Sequence, residues 1–295
     1  MFKSRSRLEA AFPYTMCLPA LVLFTFFVIF PFTKGFWAGF HRWDGLSDMK
    51  WIGLKNYGFV LSDPVFWLSM KNTFIYAIIV TVAKNILGLL LAMLLVKNIF
   101  GKTIFRVSVY MPVTFSYVVI GVLWSWIFNP IFGILNNFLS VVGADFLIKG
   151  WLSDPNVALY SLTWVDIWKW TGFHMILYLA GLQGIPKDYY EAADIDGANI
   201  FSKFRHITLP QLNSTIVVSF LLAITGAFVS NYDIVNIMTG GGPFHATEVA
   251  LTYMVSTAFR FSAVGKANAM SMILFIFVLV FGLLQVKFMT KDDVY

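Results

Sequence analysis

The chain has 295 residues, 59% hydrophobic and 12% charged, with a formal net charge of +6. A soluble domain carries about twice that charged fraction, so a water-soluble globule is excluded and lipid is the solvent that fits. The basic residues are scattered between apolar runs and form no single patch, which excludes a nucleic-acid binder and suits loop anchors between membrane spans.

Lys3, Arg5 and Arg7 precede an uncharged stretch from Ala10 to Thr33. It is longer than the apolar core of a secretory signal and no small-x-small cleavage site follows, so it reads as an uncleaved first span, 12–33. The one cysteine, Cys17, lies within it, which excludes an internal disulfide. Gly35 and Gly39 have the small-x-x-x-small spacing of packed membrane helices. A long loop, 34–72, follows. It carries Trp37, Trp43, Trp51 and Trp67, which suit the headgroup boundary. The second span, 73–96, is apolar apart from Lys84. Gly101-Lys102-Thr103 imitates the end of a phosphate-binding loop, but the first glycine of that motif would fall at Val96, so no nucleotide site is expected here.

The third span is 107–128, followed by a second long loop, 129–156, and a fourth span, 157–182. Asp166, Lys169 and His174 interrupt that fourth span. Asp166 and Lys169 lie three apart and can pair on one helix face. The fifth span is 215–238, with Asp233 near its end, and the sixth is 267–286. Six spans put both termini on one side of the membrane. With the N-terminus inside, the internal segments hold about 11 basic residues against 8 outside, which favours cytoplasmic termini. The expected fold is all-α and integral to the plasma membrane: residues 1–11 as a cytoplasmic N-terminus, then one transmembrane domain over 12–295. His41, His174, His206 and His245 are isolated, so no metal cluster is expected.

The internal segment 183–213 is the informative one. Gly184-Ile185-Pro186 can stop the preceding helix, and 187–193 then reads as a short polar helix. Gly197 can take a left-handed conformation and turn the chain. Ile200, Phe204 and Ile207 give a second helix one apolar face, and Leu209-Pro210 is expected to end it. The first helix presents Glu191 beside Ala192 and Ala193. Methyl-sized side chains let a helix sink into a groove, and the carboxylate can pair with an arginine there. Its net acidity opposes the other reading, a helix resting on anionic lipid.

Glu191-Ala192-Ala193, with Asp196-Gly197, Ile207 and Leu209-Pro210 at fixed spacing, resembles the EAA motif of binding-protein-dependent ABC importer permeases. Asn213 stands where that motif has a second proline, which is expected to alter the start of the fifth span. Further segments resemble sugar permeases of the maltose and glycerol-3-phosphate type: Trp51-Ile52-Gly53-Leu54-Lys55-Asn56-Tyr57, then Asn72 and Thr73, Ile167-Trp168-Lys169, and Thr239-Gly240-Gly241-Gly242-Pro243 with Thr247. The resemblance covers nearly the whole chain.

It implies six helices of the type I importer kind, forming half of a pseudo-symmetric pair with a second, related permease. It also implies two ATPase subunits that bind the ATP and magnesium, an external solute-binding protein and a carbohydrate substrate. In that family Glu191 would pair with a basic residue of the ATPase cleft. The spans flanking the EAA loop would line the pathway: Asp166, Trp170 and Phe173 from one, Ser230, Asn231, Tyr232 and Asp233 from the other. Aromatic rings stack on the C–H face of a sugar and polar groups meet its hydroxyls. The rival reading is a transporter driven by an ion gradient. It would place paired acids or broken helices in two inverted halves, and no inverted halves are visible.

Overall fold

The computed structural model describes residues 7–96 and 100–289. Lys3, Arg5, Lys97 and Lys291, which enter the charge argument, lie outside the described residues, as does most of the expected cytoplasmic N-terminus. Apart from a hairpin of two-residue strands, the described residues form helices and their connections.

The first helical run is α1 (Arg7–Phe24), a π-helical turn (Thr25–Ile29) and α2 (Phe30–Ala38). The wide turn sits just before Pro31, where the Phe30 N–H reaches back to the carbonyl of Thr25. A proline lacks its own donor and its ring crowds the carbonyl four residues back, and one wider turn relieves both. Strands β1 (His41–Arg42) and β2 (Lys50–Trp51) pair antiparallel, and α3 (Lys55–Leu61) follows. Then come α4 (Pro64–Val96), α5 (Lys102–Thr114), α6 (Tyr117–Ile127), α7 (Ile134–Val141) and α8 (Ala158–Gln183). The segment 183–213 holds α9 (Lys187–Ile195), α10 (Ile200–Lys203) and α11 (Leu209–Gln211). It leads into α12 (Asn213–Val229), α13 (Asn231–Met238), α14 (Ala250–Phe259) and α15 (Val264–Met289).

Four helical stretches are long and apolar enough to cross a membrane: Met16–Ala38, Pro64–Val96, Asn213–Met238 and Val264–Leu284. The expected third span is not one helix. It is α5 and α6, bent by 103° at the break between them, and counts as a fifth crossing if the pair is one span. Pro112 and the extended backbone at Phe115 and Ser116 end α5, and the Ser116 hydroxyl accepts the Val119 N–H to start α6. The expected fourth span, α8, is long enough at 26 residues but is not among the apolar crossings. Asp166, Lys169 and His174, all buried, are among the polar residues that dilute it. A helix of that kind belongs inside a protein, not against lipid.

The chain divides into two compact units, one built on the chain up to Asp63 with Met254–Phe275, the other on Pro64–Tyr253 with the chain from Ile276. In the first, the tryptophan-rich loop folds on itself. Trp37, Phe40, His41 and Trp51 cluster, with ring centroids 5.1–5.7 Å apart. The Asn56 amide donates to the carbonyls of Gly39 and His41 at 2.9 and 2.8 Å. Lys266 pairs with Asp63 at 2.9 Å. Gly35 and Gly39 are both packing positions: a Cβ there would lie 2.8 Å from Asn268 Oδ1 and from the Tyr57 hydroxyl respectively.

In the second unit α4 and α8 form the central pair. A Cβ on Gly88 of α4 would lie 2.8 Å from His174 Cβ and 3.0 Å from its backbone on α8. Gly172 of α8 lies against the Val109 and Tyr110 backbone of α5, where a Cβ would collide with the Val109 carbonyl. The core on this framework includes Tyr76, Val80, Leu162, Val165 and Ile234, all fully buried. Small residues at the crossings replace the hydrophobic drive that lipid does not supply. Gly88→Leu is therefore expected to wedge α4 from α8 and cost about 1–3 kcal/mol. A lowered midpoint of thermal unfolding in detergent would register it, whereas Gly282→Leu, at a glycine with open space around it, should leave the midpoint in place.

Candidate functional site

Three features are arranged along α4. At its N-terminal end sits the glycine-proline loop. The Asn72 amide donates to the carbonyls of Glu248 at 2.9 Å and Ala246 at 3.1 Å, and the Ala250 N–H donates to the Thr73 hydroxyl at 2.9 Å. Gly240 and Gly241 have φ of 60° and 92°, which a side chain would resist. The Glu248 carboxylate packs against Gly241, accepts from the Thr252 hydroxyl at 2.6 Å and lies 3.0 Å from His245 Nδ1. The Thr247 hydroxyl donates to the Gly242 carbonyl at 2.6 Å. Asn72→Ala would leave these carbonyls short of a buried donor, at about 1–3 kcal/mol. Faster cleavage of 239–248 by an added protease, with uptake reduced, is the expected readout.

At the other end of α4, Met93 and Val96 share a small cleft with Leu182 of α8 and with Tyr190, Ile200, Lys203, Phe204 and Thr208 of the segment 183–213. Thr73 and Met93 are 20 residues apart, so at a rise of about 1.5 Å per residue the two loops sit about 30 Å apart, the thickness of the hydrocarbon layer. Helix α9 carries Glu191, Ala192 and Ala193, with Asp196 as its C-cap. Gly197 follows at φ +75° with open space around it, so backbone conformation alone demands glycine there. Asn199 caps α10 through the Ser202 N–H at 2.8 Å. An ion pair between Asp194 and Lys203 and a 3.0 Å contact between the Tyr190 and Thr208 hydroxyls tie α9 to the helices behind it. Glu191 and Ala192 are exposed and Ala193 is half-buried. Tyr189, Ile195, Ile200 and Phe201 are large apolar side chains left open around them.

Leu209-Pro210 does not end the second helix as expected. A π-helical turn (Phe204–Thr208) carries Ile207, and the Leu209 N–H bonds back to the Phe204 carbonyl. The chain stays helical through Pro210 to Gln211, with α12 starting at Asn213. The physical cause is the one seen before Pro31: the wider turn makes room for the proline ring.

Between the two ends lies a buried polar network. Lys84 of α4 pairs with Asp166 of α8 at 2.7 Å, their side chains 4% and 0% exposed. The pairing of Asp166 with Lys169 expected from their spacing does not occur. Lys84 reaches Asp166 from the facing helix, and Lys169 turns to the break between α5 and α6, where its Nζ donates to the carbonyls of Pro112, Val113 and Phe115 at 3.2, 3.1 and 2.6 Å. The Tyr117 hydroxyl donates to Asp166 Oδ1 at 3.2 Å and accepts from Trp170 Nε1 at 2.6 Å. Beside Lys84, Asn85 Oδ1 accepts from the hydroxyls of Tyr178 and Ser219, each at 2.6 Å, and Ser219 lies 2.8 Å from His174 Nδ1.

Trp170, Phe173 and Ser230 line one cleft of about 210 Å³ with Lys84, His174, Leu222, Ala223 and Gly226. Asp166 lies behind it through its bond to Lys84. Asn231 is fully buried, and neither end of its side-chain amide has a partner among the described residues. Tyr232 is half-buried and Asp233 exposed, and neither lines this cleft. Sequence reasoning missed Lys84, Tyr117, Asn85 and Ser219. Lys84 could have been found: a lone basic residue in a membrane span calls for an acidic partner, and Asp166 was the only carboxylate well inside another one.

The family described as "binding-protein-dependent transport system inner membrane component" matches residues 84–289. A probable ABC transporter permease protein of Bacillus subtilis is 37% identical, covering 94% of this chain and 95% of its own. The trehalose/maltose transport system permease protein of Thermococcus litoralis is 34% identical over 95% and 94%. The sn-glycerol-3-phosphate transport system permease protein of Agrobacterium fabrum is 32% identical over 95% and 94%. Among solved structures, a chain of a bacterial ABC transporter that imports the acidic polysaccharide alginate shares the fold, with a TM-score of 0.84 at 23% identity over 97% and 98% of the two chains. These likenesses give the ion-gradient-driven alternative no support. The chain is a membrane-spanning, mostly helical protein and belongs to the inner membrane components of binding-protein-dependent transport systems.

Proposed function

We propose that this chain is the permease half of an ATP-driven carbohydrate importer, coupled through α9 to a separate ATPase. The observation that carries this reading is the segment 183–213: a short helix with Glu191 and Ala192 exposed and Ala193 half-buried beside them, tied at its back by Asp194 and Lys203. A loop fixed in that way passes a push to the spans on either side, α8 and α12. ATP and magnesium belong to the two ATPase subunits, and this chain holds no nucleotide site of its own. The coupling end faces the cytoplasm, with both termini, and the glycine-proline loop faces outward toward a solute-binding protein.

The names of the trehalose/maltose and sn-glycerol-3-phosphate relatives favour a sugar or sugar derivative. The cleft has the matching chemistry, two aromatic rings beside Ser230. At about 210 Å³ it is smaller than the roughly 300–1,000 Å³ of a complete small-molecule site. A second, related permease would supply the opposite wall. Asp166, Asn231, Tyr232 and Asp233 stay in the proposed pathway, although none of them lines this cleft.

Trp170→Ala tests the pathway. Loss of one ring–sugar stack is worth about 0.5–1.5 kcal/mol, a several-fold fall in uptake. Basal ATP hydrolysis by the assembled complex should be unchanged. Uptake equal to that of the unmodified chain would remove Trp170 from the pathway.

A further inference from the structure

We propose that Lys169 is a built-in cation: its ammonium fills, from within the chain, the carbonyl site opened by the break between α5 and α6, and so positions Tyr117 against Trp170, which lines the cleft. A broken helix inside a membrane frees carbonyls that have no water to meet. Here the break opens those of Val113 and Phe115, together with that of Pro112, which also accepts the Phe115 N–H at 3.3 Å, at the end of α5 where the helix dipole is negative. An ammonium has three N–H donors and no acceptor. Lys169 is 2% exposed and spends all three on these carbonyls, at 3.2, 3.1 and 2.6 Å. The carboxylate three residues back on its own helix is engaged by Lys84 instead. In broken spans of other transporters, such helix ends and unwound carbonyls hold a free sodium ion or proton. A lysine in that place removes the need for one.

The break also decides where Tyr117 stands. Tyr117 is the first residue of α6, two residues beyond Phe115. The Lys169 ammonium lies 5.0 Å from the centroid of its ring and 5.2 Å from that of Trp170. The Tyr117 hydroxyl then bridges Asp166 and Trp170. Lys169 is thus a positioning residue: it acts on the pathway through Tyr117 and Trp170. The consequence for transport rests on the reading of Trp170 as a pathway wall.

The test uses the complete complex in proteoliposomes, with Lys169→Ala and Lys169→Met. Loss of the ammonium is expected to lower uptake by about tenfold or more in both. Ethylammonium, which carries the same three donors, should restore uptake and raise the thermal unfolding midpoint of the alanine variant. Tetramethylammonium at equal ionic strength has no N–H and should do neither. If the alanine variant fails to assemble, assembly in ethylammonium becomes the readout, with the same two expectations. Uptake by either variant within about twofold of the unmodified complex, no recovery in ethylammonium, or equal recovery in tetramethylammonium would overturn the proposal. Should the unmodified complex import no sugar, the proposed function fails instead, and the midpoint shift with ethylammonium still judges Lys169.

Discussion

Glu191→Arg is expected to abolish uptake and to free the ATPase subunits from the membrane, while the permease itself stays inserted. The side chain is exposed on α9 and has no role in holding the segment together, which falls to Asp194, Lys203, Tyr190 and Thr208. Folding should therefore be untouched. Reversing the charge of one partner in a docked ion pair removes an attraction and adds a repulsion, at about 2–5 kcal/mol or more, a loss of affinity of thirtyfold upward. Co-purification of the ATPase with the tagged permease reads the result directly. Gly197→Val should fall between this variant and the unmodified chain. Its site is open, so the cost is that of a left-handed backbone alone, about 1–2 kcal/mol, and Gly197→Asn should cost less.

The second large effect concerns the Lys84–Asp166 pair. Both side chains are almost completely buried and they come from different helices. Removing one leaves the other charge uncompensated in the bilayer interior, so Lys84→Met is expected to cost about 3–5 kcal/mol. Asp166→Leu should behave similarly, because Lys84 would then be left with the ring of Trp170 at 5.9 Å as its nearest remaining attraction in this network. The two changes together should recover most of the loss, since a buried pair replaced by apolar side chains is often neutral. Thermal unfolding of the purified chain in detergent, run as a double-mutant cycle, gives the coupling energy. Additive losses would mean that the two charges do not meet.

The sequence made some of this legible and hid the rest for identifiable reasons. Gly197 was readable because a left-handed position after a polar helix leaves few other choices. The α9 motif was readable because Glu191, Ala192 and Ala193 stand as one run between Pro186 and Gly197, although on the helix they point in different directions and Ala193 is half-buried. The partner of Asp166 was not, because local spacing favoured Lys169 while the true partner lies 82 residues away in the chain. Pro210 misled in the opposite sense: a proline usually stops a helix, but a wider turn ahead of it removes the clash. The same device stands before Pro31. The bent span had a signal in Pro112 followed by Ser116, a stop and a cap four residues apart, which its continuous hydrophobicity concealed. The polarity of α8 had the reverse effect. Its charges weakened it as a membrane span and mark it in the structure as the helix around which the polar network is built.

A cross-link from α9 probes the coupling claim most directly. The native chain has one cysteine, Cys17, so Cys17→Ser with Ala192→Cys leaves a single thiol, on the open side of α9. With a bifunctional thiol reagent in membranes containing the whole transporter, the predicted product is a permease–ATPase adduct whose yield changes when ATP is added. Labelling of that thiol from the outside of intact cells, or adducts with lipid alone, would contradict the account.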